Sequence, residues 1–263
     1  MTMLQDASRR FFIASSFGAA AVAIPPEEYR VAVIGHTGRG NYGHGIDVVW
    51  KFVEKTKLVA LADVDPVGRA AAAKRSGAAR VYADYREMLR QEKVDVVGIG
   101  PRSLDERESM VIAAAEAGAH IFTEKPFARN LVEADRIVEA VRRNKVKLQV
   151  AHQMRMSPYM LRAKAMVEAG EIGEIQEVRT RGKEDRRAGG EDLMVLGSHL
   201  FDMMRFFLGD PQWVASHVTT NGEEMSERDV KHGTEPIGPV AGNQIAAMFA
   251  FGNGVHGYFA SRA

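Results

Sequence analysis

The sequence of 263 residues predicts an α/β fold in two domains, the first of them built on a doubly wound parallel sheet. Short, apolar, β-branched runs alternate with helical patterns from residue 29 to residue 151, and the connections suit right-handed crossovers. Beyond residue 152 this rhythm changes to a long helix, a Gly-rich connection and further strands. The length also suits two domains better than one. We therefore predict domains at 29–151 and 152–263.

Residues 1–23 are expected to be a signal peptide of the twin-arginine type. Arg9 and Arg10 precede an apolar stretch, 11–24, that is too short to span a bilayer, and Ala21-Val22-Ala23 supplies a small-x-small cleavage pattern. The prediction is export to the periplasm in the folded state, with no stable membrane insertion after cleavage. The alternative is an amphipathic N-terminal arm on a cytoplasmic protein.

The predicted elements follow in order along the chain. In the first domain, strands are predicted at 29–34, 58–62, 79–82, 94–99, 120–123 and 147–151, with helices at 46–54, 67–76, 85–91, 109–117 and 131–144. In the second, they are a helix at 158–169, a strand at 175–181, a helix at 193–208, and strands at 243–251 and 255–259. Gly252-Asn253-Gly254 is a strong hairpin signal between the last two strands.

Composition excludes several classes of function. Lys and Arg total 35 against 34 Asp and Glu, so there is no basic excess to neutralise nucleic-acid phosphates, and no nucleic-acid partner is predicted. The absence of cysteine excludes disulfides, thiolate zinc sites, iron–sulfur clusters and a cysteine nucleophile. His, Asp and Glu do not fall at metal-ligand spacings, so no metal is predicted.

A glycine loop at 35–40 (Gly-His-Thr-Gly-Arg-Gly) follows the first predicted strand and precedes a predicted helix. Main-chain N–H groups and a helix N-terminus in this setting bind a pyrophosphate. Aligned on the first glycine, the loop has Thr37 where the dinucleotide fingerprint G-x-G-x-x-G has its second glycine, whereas a literal match at 38–43 begins three residues late. We prefer the first alignment. It predicts a dinucleotide site formed by Gly35, Thr37, Gly38, Arg39 and Gly40.

Asp63 stands at the end of the second predicted strand, where the fingerprint places an acid that binds the adenosine ribose hydroxyls. A carboxylate repels a 2′-phosphate, so Asp63 favours NAD over NADP, although Arg69 nearby softens that preference. The alternative is that Asp63 is only a turn residue.

Glu124-Lys125-Pro126, directly after the fifth predicted strand, resembles the E-K-P signature of the Gfo/Idh/MocA oxidoreductases. The Gly-Glu-Ile-Gly turn at 170–173 and Gly-Ser-His-Leu-Phe-Asp at 197–202 also resemble that family's second domain. The resemblance covers 29–263. It implies a Rossmann domain followed by an α/β domain whose open, mainly antiparallel sheet forms one wall of the substrate cleft. Sheets of the family usually continue past such a final hairpin, so we expect a second domain that is shortened or incomplete.

The resemblance also implies roles for single residues. Lys125 would contact substrate and the nicotinamide ribose, His199 would be the acid/base, and Pro101 and Glu124 would lie at the cofactor. Oxidation of a secondary alcohol needs such a base and a cation near the developing alkoxide. The alternatives are a surface salt bridge between Lys125 and Glu124, and a structural role for His199.

Two departures from the family pattern concern the surroundings of His199. Val195 stands where relatives commonly carry an Asp, and Asp105 stands where many carry a His. Asp192 and Asp202 are expected to reach substrate, and Asp202 lies nearer the imidazole. Further substrate contacts are predicted for Gln153 and Arg155, with domain-interface pairing as the alternative, and for the charged segment 183–192.

Together these features predict an oxidoreductase that transfers hydride between tightly bound NAD, or NADP, and a secondary hydroxyl of a sugar, inositol or related polyol. Two alternatives stay open. One is a redox-neutral glycosidase or epimerase with retained NAD, and the other is a noncatalytic carbohydrate-binding protein of the same fold. A homo-oligomer formed through the open sheet face is expected, because that face would otherwise leave a large apolar patch.

Overall fold

The structure, a computed structural model, describes residues 27–263. The predicted signal peptide lies outside the described residues. Two sheets organise the described part, one in each half of the chain. Within 27–263, no helix has the length and apolar character needed to cross a membrane.

The first half contains a six-stranded sheet in the order β3-β2-β1-β4-β5-β6, and every neighbouring pair in it is parallel. Its strands are β1 Tyr29–Ile34, β2 Thr56–Ala62, β3 Arg80–Tyr82, β4 Val96–Ile99, β5 His120–Thr123 and β6 Leu148–Val150. The helices are α1 Pro66–Ser76, α2 Tyr85–Gln91, α3 Arg107–Glu116 and α4 Leu131–Arg143. The predicted doubly wound parallel sheet is confirmed. Its strand order reverses between β1 and β4, and ligands bind beyond the carboxyl ends of the strands at such a point.

Local sequence explains where these elements begin. The second half of strand β1 is apolar, and it is therefore buried between the two helix layers. Helix α1 starts at Pro66, directly after Asp65, whose carboxylate accepts the Gly68 N–H. Helix α4 starts after Asn130, whose side-chain oxygen accepts the Glu133 N–H at 3.0 Å.

The helix predicted at 46–54 is wrong. The chain instead forms turns and a short 3₁₀ helix, Val49–Phe52. Gly43 and Gly45, just before the predicted helix, have positive φ, and Val53, inside it, has extended angles of φ −100° and ψ 115°. The β-branched valines of this segment also disfavour a regular helix. No α-helix N-terminus therefore stands behind the glycine loop.

The second half contains a five-stranded sheet in the order β7-β13-β12-β8-β9, antiparallel except for the β13–β7 pair. Its strands are β7 Glu177–Arg181, β8 Trp213–Thr220, β9 Glu223–Glu224, β12 Gln244–Ala250 and β13 His256–Arg262. A separate two-stranded ribbon joins β10 Lys231–His232 and β11 Pro239–Val240. The helices are α5 Pro158–Glu168, the short α6 Gly190–Asp192, and α7 Ser198–Leu208. The predicted mainly antiparallel sheet and its last hairpin are confirmed.

Helix α7 covers one face of this sheet. Met204 of the helix packs with Ile245 of β12, Phe259 of β13 and Phe251 in one buried cluster. A second, smaller cluster joins the two halves of the chain: Leu104, Val195, Ile237 and Val240. The cleft between the halves is therefore closed on one side by apolar contacts.

Candidate active site

A cavity of about 580 Å³ lies between the two halves of the chain. The side chains of Lys125 and Gln153 line it from the ends of β5 and β6, and His199 lines it from the first turn of α7. Parallel strands end together at one sheet edge, which brings residues far apart in sequence into one cleft. The cavity therefore unites the two predicted catalytic side chains.

Lys125 is buried, with 5% of its surface exposed. Its Nζ donates a hydrogen bond to the backbone carbonyl of Val195 at 3.1 Å. Burial lowers the pKa of Lys125 below its usual range, while the carboxylates of Glu235 and Glu124 act in the opposite direction. The surface salt bridge considered as an alternative for Lys125 is not what the structure contains.

His199 packs edge-on against His152, with ring centroids 5.2 Å apart and planes at 85°. The Nδ1 atoms of both rings are buried and have no hydrogen-bond partner. Burial lowers the pKa of His199 to about 4, and the charges of Lys125 and His152 add to this effect. The imidazole is therefore neutral near pH 7 and able to accept a proton.

A π-helical turn, Leu193–Gly197, leads directly into α7 and His199. Such turns are rare and occur mostly at functional sites. The carbonyl that accepts the Lys125 ammonium belongs to this turn. The turn thus links the two candidate catalytic residues.

Glu124 is held tightly behind Lys125 and is only 2% exposed. One carboxylate oxygen accepts the N–H of His44 at 2.8 Å and lies 2.7 Å from its Nδ1, and the other accepts the Lys125 N–H at 3.2 Å. These contacts orient the end of β5. They leave Glu124 little freedom to bind a ligand hydroxyl.

Arg107, which the sequence analysis missed, ties the strand ends together. Its guanidinium is fully buried and donates to the carbonyls of Pro101, Glu124 and Pro126. Burial lowers its pKa to about 10. Arg107 shares a helix face with the buried Met110, which was the available signal for an inward-facing charge. Pro101 and Glu124 are thereby fixed beside Lys125.

The glycine loop is closely packed at two of its glycines. A Cβ on Gly35 would lie 2.1 Å from the Tyr42 ring, and one on Gly40 would lie 2.4 Å from the Arg102 nitrogen. Gly38, with φ of 85°, faces open space. Its N–H donates to Asn41 Oδ1 at 3.0 Å, and several neighbouring amides are also bonded within the loop. The loop is therefore more self-contained than the predicted amide cradle.

Asp63 and the glycine loop come together, as the fingerprint predicts. The carboxylate of Asp63 is 1% exposed and accepts the Thr37 N–H at 3.1 Å and the Thr37 hydroxyl at 2.7 Å. Arg39 of the same loop points outward and pairs with Asp105 at 3.2 Å. Thr37 therefore occupies the carboxylate oxygens that ribose hydroxyls would use.

A second cavity, of about 200 Å³, is lined by Gly35, His36 and Asp63. The loop thus borders the small cavity at Asp63, and residues 44–46, which follow the loop, line the cavity of Lys125 and His199. An extended dinucleotide needs two such spaces, one for its adenosine and one for its nicotinamide. The residues present fit that group.

The predicted substrate residues do not all reach the larger cavity. Gln153 lines it. Arg155 instead forms a two-pronged ion pair with Asp202, with distances of 2.9 and 2.6 Å. Asp192 is 0% exposed and accepts the Ser261 hydroxyl at 2.8 Å, which ties it to the end of β13. The side chains of Arg155, Asp202 and Asp192 therefore bond to other residues of the protein.

The charged segment 183–192 does supply side chains to the cavity, namely Lys183 and Arg187. Among the acidic and basic lining residues, two were missed: Arg102, after β4, and Glu235, between β10 and β11. Glu235 is more than a hundred residues from Lys125 in sequence, and only the folded chain brings them together. No local pattern marks it.

Comparison with known proteins matches both halves of the chain to one family. Residues 29–152 match a family described as "Oxidoreductase family, NAD-binding Rossmann fold", and residues 160–262 match the "GFO/IDH/MocA C-terminal domain". These two matches cover most of the chain. They agree with the E-K-P and His199 motifs.

Two curated relatives are dehydrogenases. The chain is 29% identical to levoglucosan dehydrogenase of Pseudarthrobacter phenanthrenivorans over 222 residues, which are 75% of this chain and 56% of that protein. It is 28% identical to myo-inositol 2-dehydrogenase of Thermotoga maritima over 208 residues, 76% of this chain and 60% of that protein. The chain thus spans little more than half the length of these relatives.

Solved structures show the same architecture. Levoglucosan dehydrogenase in complex with NADH and L-sorbose superimposes with a TM-score of 0.72 at 25% identity, covering 89% of this chain and 66% of that one. A probable dehydrogenase from Thermotoga maritima gives 0.69 at 25% identity, covering 89% and 68%. The chain belongs to the Gfo/Idh/MocA family of oxidoreductases.

Proposed function

We propose that the protein is an NAD-dependent dehydrogenase that transfers hydride between the nicotinamide and a secondary hydroxyl of a sugar, inositol or related polyol. The observation that carries this proposal is the meeting of Lys125 and His199 in one cavity, with a second cavity at Asp63. The relatives named levoglucosan dehydrogenase and myo-inositol 2-dehydrogenase support the substrate class.

The two side chains divide the work at the substrate hydroxyl. His199 is neutral near pH 7 because burial depresses its pKa, so it accepts the hydroxyl proton. Within residues 27–263, the Nζ of Lys125 bonds a neutral backbone carbonyl and no carboxylate, so its positive charge is available to stabilise the developing negative charge on the substrate oxygen. The nicotinamide, when bound, supplies the acceptor for the hydride from the same carbon.

The cofactor would lie along 35–40, with its adenosine ribose at Asp63. Binding of the ribose hydroxyls requires Thr37 to release at least one of its hydrogen bonds to Asp63. The buried carboxylate disfavours a 2′-phosphate, which supports NAD rather than NADP. Tight retention of the cofactor belongs to the same proposal.

Export and assembly are further parts of the proposal. The paired Arg9 and Arg10 before an apolar stretch support export through the twin-arginine pathway to the periplasm.

The sheet face opposite α7 carries Ala246, Met248 and Tyr258 and lines a shallow cavity of about 690 Å³. This face supports a homo-oligomer in which it is covered.

The test is direct. The full chain is supplied with NAD⁺ and with levoglucosan or myo-inositol, and reduced nicotinamide is followed by absorbance. Formation of NADH with at least one polyol is expected. A folded protein that binds NADH and oxidises no polyol would contradict the activity, and one that binds no nucleotide would contradict the cofactor site as well.

A further inference from the structure

The cavity that contains Lys125 and His199 has two carboxylates among its lining residues, Glu124 and Glu235. Glu124 is buried and already accepts three hydrogen bonds from His44 and Lys125. The side chain of Glu235 keeps 19% of its surface exposed. Glu235 is therefore the carboxylate of this cavity that a ligand can reach.

The backbone around Glu235 is fixed by a buried acid. One oxygen of Glu191 accepts the N–H of Thr234 at 2.8 Å, its hydroxyl at 2.5 Å, and the N–H of Glu235 at 3.0 Å. Two residues further on, Ile237 is buried against Val195, whose carbonyl binds Lys125. The position of Glu235 is thus set relative to the catalytic side chains rather than left to a free loop.

The carboxylate of Glu235 is oriented but not saturated. Arg187 donates to one oxygen at 3.2 Å and Arg102 to the other at 3.4 Å. A carboxylate offers about four acceptor positions, so about two remain for a ligand. Arg102 comes from the nucleotide-binding half and Arg187 from the other half, so Glu235 sits where the two halves meet.

A polyol presents several hydroxyl donors, and Gln153 and His199 supply neutral acceptors in this cavity, His199 being used by the reacting hydroxyl. The other charged side chains of the cavity include Arg102, Lys183 and Arg187, which only donate. A buried hydroxyl without an acceptor is costly, so the accessible carboxylate becomes the natural partner. The charge of Glu235 also raises the pKa of Lys125, which places the two groups within electrostatic reach.

We propose that Glu235 is a substrate-binding residue whose carboxylate accepts hydrogen bonds from two neighbouring hydroxyls of the polyol, and so selects substrates with a hydroxyl beside the reacting carbon. This inference rests on the proposed function. It assigns to the segment between β10 and β11 a role in substrate choice.

The test compares Glu235→Gln with the matched control Glu223→Gln, an exposed residue of β9. With levoglucosan and myo-inositol as probes, Glu235→Gln is expected to raise KM at least tenfold and to leave kcat within about threefold, because a hydrogen bond to a charged group is lost. The dissociation constant for NADH, measured by fluorescence, is expected to stay within twofold. Glu235→Asp, which keeps the charge, is expected to lose less.

A deoxy analogue sharpens the result. For an analogue of the best probe that lacks the hydroxyl beside the reacting carbon, the kcat/KM of wild type is expected to be at least tenfold lower than for the probe itself. The kcat/KM of Glu235→Gln is expected to differ little between the analogue and the probe. A KM for Glu235→Gln equal to that of Glu223→Gln would overturn the inference. A loss of NADH affinity in Glu235→Gln as large as its rise in KM would overturn it too. If wild type binds NADH but oxidises none of the probes, the proposed function itself fails and takes this inference with it.

Discussion

The ammonium of Lys125 donates a hydrogen bond to the main-chain carbonyl of Val195, 3.1 Å away and in the other half of the chain. A carbonyl orients the ammonium without neutralising it. The side chain of Val195 packs in an apolar cluster with Leu104 and Ile237. The positive charge of Lys125 therefore faces the cavity without a carboxylate in direct contact with Nζ.

Replacement of Lys125 by Ala is expected to lower kcat by about 10²–10³ or more, since it removes the cation that stabilises the developing alkoxide. The NADH dissociation constant is expected to change less than threefold. Steady-state kinetics and fluorescence titration measure the two effects. Lys74→Ala, an exposed change on α1, is the control. Unchanged turnover in Lys125→Ala would reject the catalytic assignment.

The pH dependence of kcat/KM follows from the two perturbed groups. His199 must be neutral to accept a proton and its pKa is about 4, so the acid limb is expected near pH 4 rather than near the usual histidine value of about 6.5. Lys125 must be charged and its pKa is lowered, so activity is expected to fall at a pH below the usual lysine value of about 10.4.

Initial rates from about pH 3 to about pH 11 in buffers of constant ionic strength measure both limbs. Glu235→Gln removes a charge that favours the Lys125 ammonium, so it is expected to move the alkaline limb to lower pH. An acid limb at pH 6 to 7 in wild type would contradict a neutral, buried His199.

The contact between Thr37 and Asp63 predicts opposite effects of two substitutions. Asp63→Asn is expected to weaken NADH binding about tenfold and to reduce its preference over NADPH, because the ribose loses a charged acceptor. Thr37→Val removes the hydroxyl that occupies Asp63, and NADH affinity is expected to stay level or rise. Titration of nucleotide fluorescence measures both. Equal NADH affinity in wild type and Asp63→Asn would refute the ribose assignment.

Two glycines of the loop differ in the space around them. Gly35→Ala is expected to cost about 3 kcal/mol of unfolding free energy, because its Cβ would lie 2.1 Å from the Tyr42 ring. Gly38→Ala meets no atom within 4 Å and is expected to cost only about 1 kcal/mol for its positive φ. Denaturant unfolding separates the two. Equal losses would show that the packing of Tyr42 is not the cause.

Arg155 and Asp202 allow a test of their predicted substrate role. As a partly buried two-pronged pair, they are expected to show a coupling energy of about 1–2 kcal/mol in a double-mutant cycle of unfolding. KM for the polyol is expected to change less than threefold in either single variant. A large rise in KM without loss of stability would instead restore the substrate role.

The first sheet was predictable because each buried parallel strand forms a continuous apolar run that ends in a turn, as β1 does. The absence of a regular helix after the glycine loop was not predictable, because the apolar periodicity of 46–54 does not reveal the extended backbone at Val53. Lys125 and His199 were found through motif resemblance. Arg107, Arg102 and Glu235 were missed because their roles arise from contacts between distant segments.

The π-helical turn Leu193–Gly197 has a geometric consequence for everything that follows it. A π turn holds about one residue more than an α turn, and one residue of an α-helix corresponds to a rotation of about 100°. Deleting one residue from the turn would restore regular α-helical geometry. It would also rotate the His199 imidazole about the helix axis by a quarter turn or more, away from the cleft. The one additional residue of the π-helical turn thus orients the His199 imidazole toward the cleft.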